Sequence, residues 1–506
     1  MSLTHRITRL CSAGVVIAAL ALTACNSPFS SKDAATPASG PGSPVISPAG
    51  APPICTPTPG LQPTVIGPIA SDPVGSAAHN YPWSATAADL AAQGYVEEEY
   101  FLCGYAPSQA GAYTTRMIVR RPIDPKRFNG TVFAEWLNVS LGYDVEILWA
   151  QSHEHIMRSG FAYVGIAAQR AGHYTEPYGT AAWSPLRYSQ LTWPGGNTLV
   201  STLAAVPAPL PIPAALIDPA SFDIYTQGLQ ALRASTGVKP LGALPVRFVV
   251  ATGGSQSTAA LDLYYVEQQP LFKAADAFMP FILSSGSIGI QDPASVLFPV
   301  PADVVGTPVL QVNSETDIAN IKQPDSALFK LWEVAGATHY DQNQFVYERP
   351  LRTRDLGIDI ADNDHFCSDT PRSRILFRNV LNAAMNHVQN WLQTGQAPPS
   401  QPGFEYGSDR KLLRDAQGNA LGGIRLPEQA VPTGTNSREN PGSAYCSLYG
   451  SYKAFDATTL RTLYSSDSDY LARFNEATAA AIQSGVLLEE DAKAGQTAAR
   501  SVVIPR

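Results

Sequence analysis

Residue types that can act together in acyl transfer occur in this chain in a telling order: a serine, then acids, then a histidine. Ser255 lies in the run Val249-Val250-Ala251-Thr252-Gly253-Gly254-Ser255-Gln256-Ser257-Thr258-Ala259-Ala260-Leu261. The stretch 246–250, three valines and a phenylalanine broken only by Arg247, predicts a buried strand, and the small residues after Ser255 predict the opening of a helix. A serine on such a strand-to-helix turn is held out at the sheet edge by strained backbone angles, so its neighbours must be small. The helix behind it aims backbone N–H groups at developing negative charge. The common form of this turn is G-x-S-x-G; here it reads Gly253-x-Ser255-x-Ser257, with a serine in the last glycine's place.

A serine hydroxyl is a weak nucleophile near neutrality and needs a base within hydrogen-bond reach. His339 can supply it, because an imidazole titrates near pH 7. It stands in Trp332-Glu333-Val334-Ala335-Gly336-Ala337-Thr338-His339-Tyr340-Asp341, which reads as a strand, a small-residue turn and a histidine. An acid must fix the imidazole tautomer and stabilise the imidazolium. The strand Pro308-Val309-Leu310-Gln311-Val312 is followed by Glu315 and Asp317. Asp317 is the first choice because it sits just past the strand end, where the loop can reach the histidine, and Glu315, two residues earlier, stays open as the alternative. An oxyanion needs two backbone N–H donors. Gln256, directly after the nucleophile, is one; Leu137 or Asn138, at the exit of an early strand, is expected to be the other.

The remaining elements must bring these groups to one edge. Strands are predicted over 114–121 and 131–139, a helix over 143–159 ended by Gly160, and a strand over 161–168, a pattern that implies a right-handed parallel crossover. Residues 169–220 read as irregular. A helix follows over 222–234, capped by Ser221. Further strands are expected over 277–283, 308–312 and 331–334, a long amphipathic helix over 374–392 stopped by Gly395, mostly loop over 398–441, and a last helix over 469–483.

Composition narrows the setting. The 506 residues are 45% hydrophobic and 15% charged, with net charge −8. That suffices for a large core, and an acidic chain without basic clusters argues against nucleic acid as a partner. Residues 1–24 read as a targeting segment, with His5, Arg6 and Arg9 before an apolar stretch too short to span a bilayer. It ends Leu22-Thr23-Ala24-Cys25, which resembles a bacterial lipobox, so Cys25 is expected to carry lipid and to anchor the chain at the cell envelope. Removing 1–24 takes away Arg6 and Arg9 and no acid, which moves the charge from −8 to −10. Residues 25–60 read as a Pro/Ser/Ala-rich tether and 61–506 as the folded body with a C-terminal extension. Of the six cysteines, Cys11 leaves with the signal. Cys55, Cys103, Cys367 and Cys446 remain for disulfides, with Cys55–Cys103 and Cys367–Cys446 the sequence-local choice among three pairings.

Several stretches together resemble the bacterial α/β-hydrolase domain family. They are Asn129-Gly130-Thr131-Val132, Glu135-Trp136-Leu137-Asn138-Val139-Ser140, Ala168-Gln169, Arg187-Tyr188, Asp223-Ile224-Tyr225 with Gln227, Ser255-Gln256-Ser257, Glu315-Thr316-Asp317, the His339 turn and Gly422-Gly423-Ile424-Arg425-Leu426-Pro427. The resemblance covers roughly 95–492. It implies an α/β fold with a mostly parallel central sheet, helices on both faces and long loop insertions, Ser255 as nucleophile and His339 as base. The expected activity is serine esterase chemistry on a small-molecule or lipid-like ester, without cofactor or metal. Amide, lactone or acyl-transfer chemistry on the same residues, or a non-catalytic surface lipoprotein, are the alternatives. His153-Glu154-His155 resembles a metal pair, but i and i+2 do not share a helix face. His173 and His365 read as loop histidines. Trp136, Trp183, Tyr188 and Trp193 could wall a pocket over Ser255 or simply pack under loops.

Overall fold

Among the described residues, the sheet that carries these groups has ten strands: β1 (Thr64–Ile66), β2 (Tyr95–Ala106), β3 (Gly111–Pro122), β4 (Thr131–Trp136), β5 (Ala162–Ile166), β6 (Thr236–Gly237), β7 (Phe248–Gly254), β8 (Ala277–Phe281), β9 (Val309–Ser314) and β10 (Phe329–Val334). The computed structural model describes residues 62–194, 219–283, 302–317, 323–358, 367, 371–409, 411–442 and 446–505. The spatial order is β10-β9-β8-β7-β4-β5-β3-β2-β1-β6. From β10 to β5 all neighbours run parallel, whereas β3 is antiparallel to β5 and to β2. Parallel strands buried on both faces need near-continuous apolar sequence. Accordingly β4 (TVFAEW) and β8 (AFMPF) are buried at every position.

The longer helices are α1 (Ile147–Arg158), α2 (Pro219–Ala231), α3 (Gln256–Glu267), α4 (Gln342–Leu356), α5 (Phe377–Thr394), α6 (Asp467–Gln483) and α7 (Glu489–Ala499), of which α1, α2, α3 and α5 lie against strands of the sheet. Gly395 ends α5 in the left-handed region at φ 77°, as its lack of a side chain allows. Ser221 does not cap α2. The described helix already includes Pro219 and Ala220, so Ser221 lies inside it.

Strand β2 is absent from the sequence reading because Glu97, Glu98 and Glu99 interrupt its apolar pattern. The structure pairs those acids across the hairpin. Arg120 and Arg121 of β3 bond Glu97 and Glu98, and Arg116 bonds Glu99. Glu99 is fully buried and also accepts from Arg187 Nε at 2.8 Å and the Tyr188 hydroxyl at 2.9 Å. Arg116 in turn donates to Asp144 at 3.0 Å, and Arg120 bonds Glu146. Each ion is partnered, so deleting one partner would strand a buried charge at a cost of about 3–5 kcal/mol. The network fixes the 137–146 loop between β4 and α1, which approaches Ser255.

Cys367 and Cys446 are joined at an S–S distance of 2.07 Å. Cys103 is also disulfide-bonded; Cys55, expected as its partner, lies outside the described residues, as do Cys11 and Cys25. No described helix is long and apolar enough to cross a membrane.

Candidate active site

Because β7, β9 and β10 are parallel, their C-terminal ends fall at one edge of the sheet. Ser255 follows the last residue of β7 and precedes the first of α3. Its backbone lies at φ 62°, ψ −124°, a region that costs a non-glycine residue about 1–3 kcal/mol. Surrounding bonds hold it there. Ser255 N–H donates to the Phe281 carbonyl at 3.3 Å. The Thr258 hydroxyl reaches both the Gly253 and Phe281 carbonyls at 2.7 Å. Asn138 Nδ2 donates to the Gly254 carbonyl at 3.1 Å.

The glycines are needed for space. A Cβ on Gly254 would lie 2.8 Å from the Phe281 ring, and one on Gly253 would lie 3.1 Å from Cβ of Ser257. The serine that replaces the usual last glycine is therefore accommodated by the bare Cα at 253.

His339 Nε2 lies 2.8 Å from Ser255 Oγ, and His339 Nδ1 lies 2.6 Å from Asp317 Oδ1. Ser255 and His339 each keep 7% exposure and Asp317 none, so solvent reaches the serine and the imidazole but not the acid. Asp317 closes a single 3-10 turn, Glu315–Asp317, after β9. Its second oxygen accepts from the Ser314 hydroxyl and, at 3.4 Å, from the Thr316 hydroxyl. Thr316 Oγ1 accepts the N–H of His339 at 2.7 Å, so one side chain orients both acid and imidazole. Ser314 and Thr316 were not singled out from sequence; the hydroxyls flanking the acids in Ser314-Glu315-Thr316-Asp317 were the available signal.

Glu315, left open as the acid, does not face the histidine. One oxygen accepts from Gly336 N–H at 2.7 Å; the other takes Arg414 Nη2 at 2.9 Å and Arg438 N–H at 3.3 Å. It pins the histidine turn from the C-terminal segment instead.

The expected second oxyanion donors are corrected. Leu137 N–H is spent on the Ile166 carbonyl at 3.2 Å, because pairing with β5 continues one residue past β4. Asn138 N–H is spent on the Val145 carbonyl at 3.1 Å, closing the loop. Asn138 serves the site through its side chain, bridging the Gly254 carbonyl and Ser140 N–H. Gln256 N–H, the first of α3, belongs to the helix-start donors that lack an intrahelical acceptor.

Buried acids flank this framework. Glu135 of β4 takes the Tyr163 hydroxyl at 2.6 Å and Leu148 N–H at 2.9 Å, yet burial pushes its carboxyl up to about 8. Burial also raises Asp262 of α3 to about 8 and Asp144 to about 6. His173 is bonded to Thr180 Oγ1 at 2.6 Å and held down to about 3 by burial; His365 lies outside the described residues. His153 and His155 of α1 bond the Trp149 carbonyl and Asn386 Oδ1 respectively. The four aromatic candidates pack within the body. Trp136 meets Tyr225, Phe222 and Tyr264; Trp183 stacks on His79; Trp193 stacks on His173; the Tyr188 hydroxyl serves Glu99.

A family model described as an alpha/beta hydrolase domain matches residues 70–496. No curated protein matches the chain. Among solved structures, one from a study of two prolyl endopeptidases is 15% identical, covering 48% of this chain and 35% of its own, with a TM-score of 0.26. The chain thus spans about a third of that protein. The carboxylesterase Cest-2923 from Lactobacillus plantarum WCFS1 is 11% identical over 44% of this chain and 72% of its own, TM-score 0.25. An esterase from Rhizomucor miehei is 11% identical over 60% and 85%, TM-score 0.27.

Proposed function

The chain belongs to the alpha/beta hydrolase domain family, and on that premise we propose that it is a serine hydrolase acting on carboxylic esters. The observation that carries the reading is the hydrogen-bonded line Ser255 Oγ–His339 Nε2–His339 Nδ1–Asp317 Oδ1, at 2.8 and 2.6 Å. Ser255 Oγ attacks the ester carbonyl while its proton passes to His339 Nε2. Asp317 holds the proton on Nδ1, which keeps Nε2 free to accept, and stabilises the imidazolium. The tetrahedral oxyanion is bound by Gln256 N–H, with Val139, next along the loop from the engaged Asn138, as the second donor. Collapse expels the alkoxide, which takes the proton from Nε2. Water then attacks the acyl-enzyme with His339 as base, and Ser255 regains its proton as the acid leaves. An ester is favoured over an amide because an alkoxide departs with less assistance than an amine.

A fluorophosphonate probe should label the protein, with the adduct mapped to Ser255 and absent in Ser255→Ala. A folded wild type that neither labels nor turns over p-nitrophenyl esters would remove the reading.

A further inference from the structure

We propose that the side-chain carboxamide of Gln256 recognises a hydroxyl or amide carried on the acyl part of the substrate, close to the scissile carbonyl. The proposal rests on the serine-hydrolase reading and names a substrate class for it. Gln256 is 1% exposed, and both Oε1 and Nε2 are buried without a hydrogen-bond partner. Burying an unpaired amide is costly, and folded proteins rarely leave one unmatched. Other glutamines here show the usual outcome. Gln269 Nε2 reaches the Ala275 carbonyl at 2.7 Å, Gln227 Nε2 the Tyr105 carbonyl at 2.8 Å, and Gln344 Nε2 the Glu348 carboxylate at 2.7 Å. Gln429 is also unpartnered, but it is set against Gly336 in the histidine turn.

What distinguishes Gln256 is its place. It follows the nucleophile directly and is the first residue of α3. Cα–Cβ bonds in a helix tilt toward the N-terminus, so this side chain departs toward the end where Ser255 stands. Its own N–H is the donor assigned to the oxyanion. The carboxamide therefore starts one residue's width from the carbonyl under attack. A neutral amide offers both donors and an acceptor. It is matched by a group that also does both, a hydroxyl or an amide. A plain alkyl chain would leave it unmet, and a buried charge would be left uncompensated.

The test compares p-nitrophenyl esters of butyric, 2-hydroxybutyric and 3-hydroxybutyric acid, each rate divided by that with hydroxide in solution. For the wild type, kcat/KM for at least one hydroxy ester should exceed that for butyrate by about tenfold to a hundredfold. In Gln256→Met and Gln256→Leu, which retain the backbone donor, that ratio should fall to near one. Thermal stability should hold or rise in both, because the unmet amide is gone. Equal corrected rates in the wild type, a preference that survives both substitutions, or no turnover of any ester by a protein that still labels at Ser255, overturns the assignment. A ratio unchanged alongside a lowered Tm would mark the amide as structural and overturn it too. Loss of labelling at Ser255 in the wild type would bring down the hydrolase reading itself, which keeps the two failures apart.

Discussion

Asp317→Asn gives the sharpest test of the site, because the hydrogen-bond pattern dictates which way the amide must turn. Thr316 Oγ1 already accepts the N–H of His339, and Ser314 Oγ accepts that of Thr316 at 3.2 Å. The Ser314 hydroxyl donates to Asp317 Oδ2, and the Thr316 hydroxyl lies 2.7 Å from Ser314 Oγ and 3.4 Å from Asp317 Oδ2. An asparagine with its NH2 there would set donor against donor. The amide should instead keep its oxygen toward the hydroxyls and turn its nitrogen toward His339 Nδ1. The imidazole must then present a lone pair at Nδ1 and carry its proton on Nε2, the tautomer that cannot accept from Ser255. A loss of about a thousandfold to ten-thousandfold in kcat is expected, about 4–5.5 kcal/mol of transition-state stabilisation. The assay is turnover of an activated ester beside Glu315→Gln, with thermal unfolding of each variant. Glu315→Gln should retain most turnover while losing roughly 2 kcal/mol of stability, since its buried oxygens bond Gly336 N–H and Arg414. If Asp317→Asn kept near-normal turnover, or if Glu315→Gln lost more, the geometry would be misread.

Other consequences can be measured separately. Asn138→Ala removes the bond to the Gly254 carbonyl and should lower kcat about tenfold to a hundredfold, with KM little changed, if that bond holds the strained elbow; unchanged kcat would show that it does not. Cys367→Ser with Cys446→Ser opens a loop of 79 residues and should cost about 4 kcal/mol in denaturant unfolding, against no effect if the bridge is idle. Burial raises the folded-state pKa of Asp262 from 3.8 to about 8, so its contribution to stability is present below about pH 4 and lost as pH rises through 8. Asp262→Asn should therefore gain on the wild type steadily between pH 4 and 8, and a constant gap would contradict the shift. Cys25→Ala should move the protein from the membrane fraction to the soluble one; unchanged fractionation would end the lipid-anchor reading.

The parts of this fold that could be read from sequence were those where local and long-range demands coincide. The run Val249-Val250-Ala251 is apolar because β7 is buried there, and the glycines before Ser255 are small because Phe281 and Ser257 crowd them. Strand β2 could not be read the same way. Its three successive glutamates make sense only beside Arg116, Arg120 and Arg121 on β3, and such a match is invisible until the strands are paired. Helix α4 was missed for a related reason. Pro350 and a charged sequence argue against a helix, and its start depends on Asp341 accepting Gln344 N–H at 2.9 Å. The oxyanion-loop assignment failed at a finer scale. Which N–H groups remain free depends on how the backbone is paired past Trp136, where Leu137 N–H is taken by Ile166 and Asn138 N–H by Val145.

The choice between two acids two residues apart shows what the sheet edge contributes. A strand alternates its side chains, so Glu315 and Asp317 would share a face if β9 ran on. It does not: the chain turns at Ser314 into a single 3-10 turn, where residues two apart no longer point together. One carboxylate is turned to Gly336 and Arg414, the other to His339. Both act on the same turn, the first on its backbone at Gly336 and the second on the imidazole three residues later. Arg414 and Arg438 complete the hold on Glu315, so the extension after α5 reaches the histidine turn through that carboxylate. Arg414→Ala should therefore raise the mobility of the His339 turn and lower kcat modestly, and Glu315→Gln in that background should add little. Full additivity of the two losses would show that segment and acid act independently.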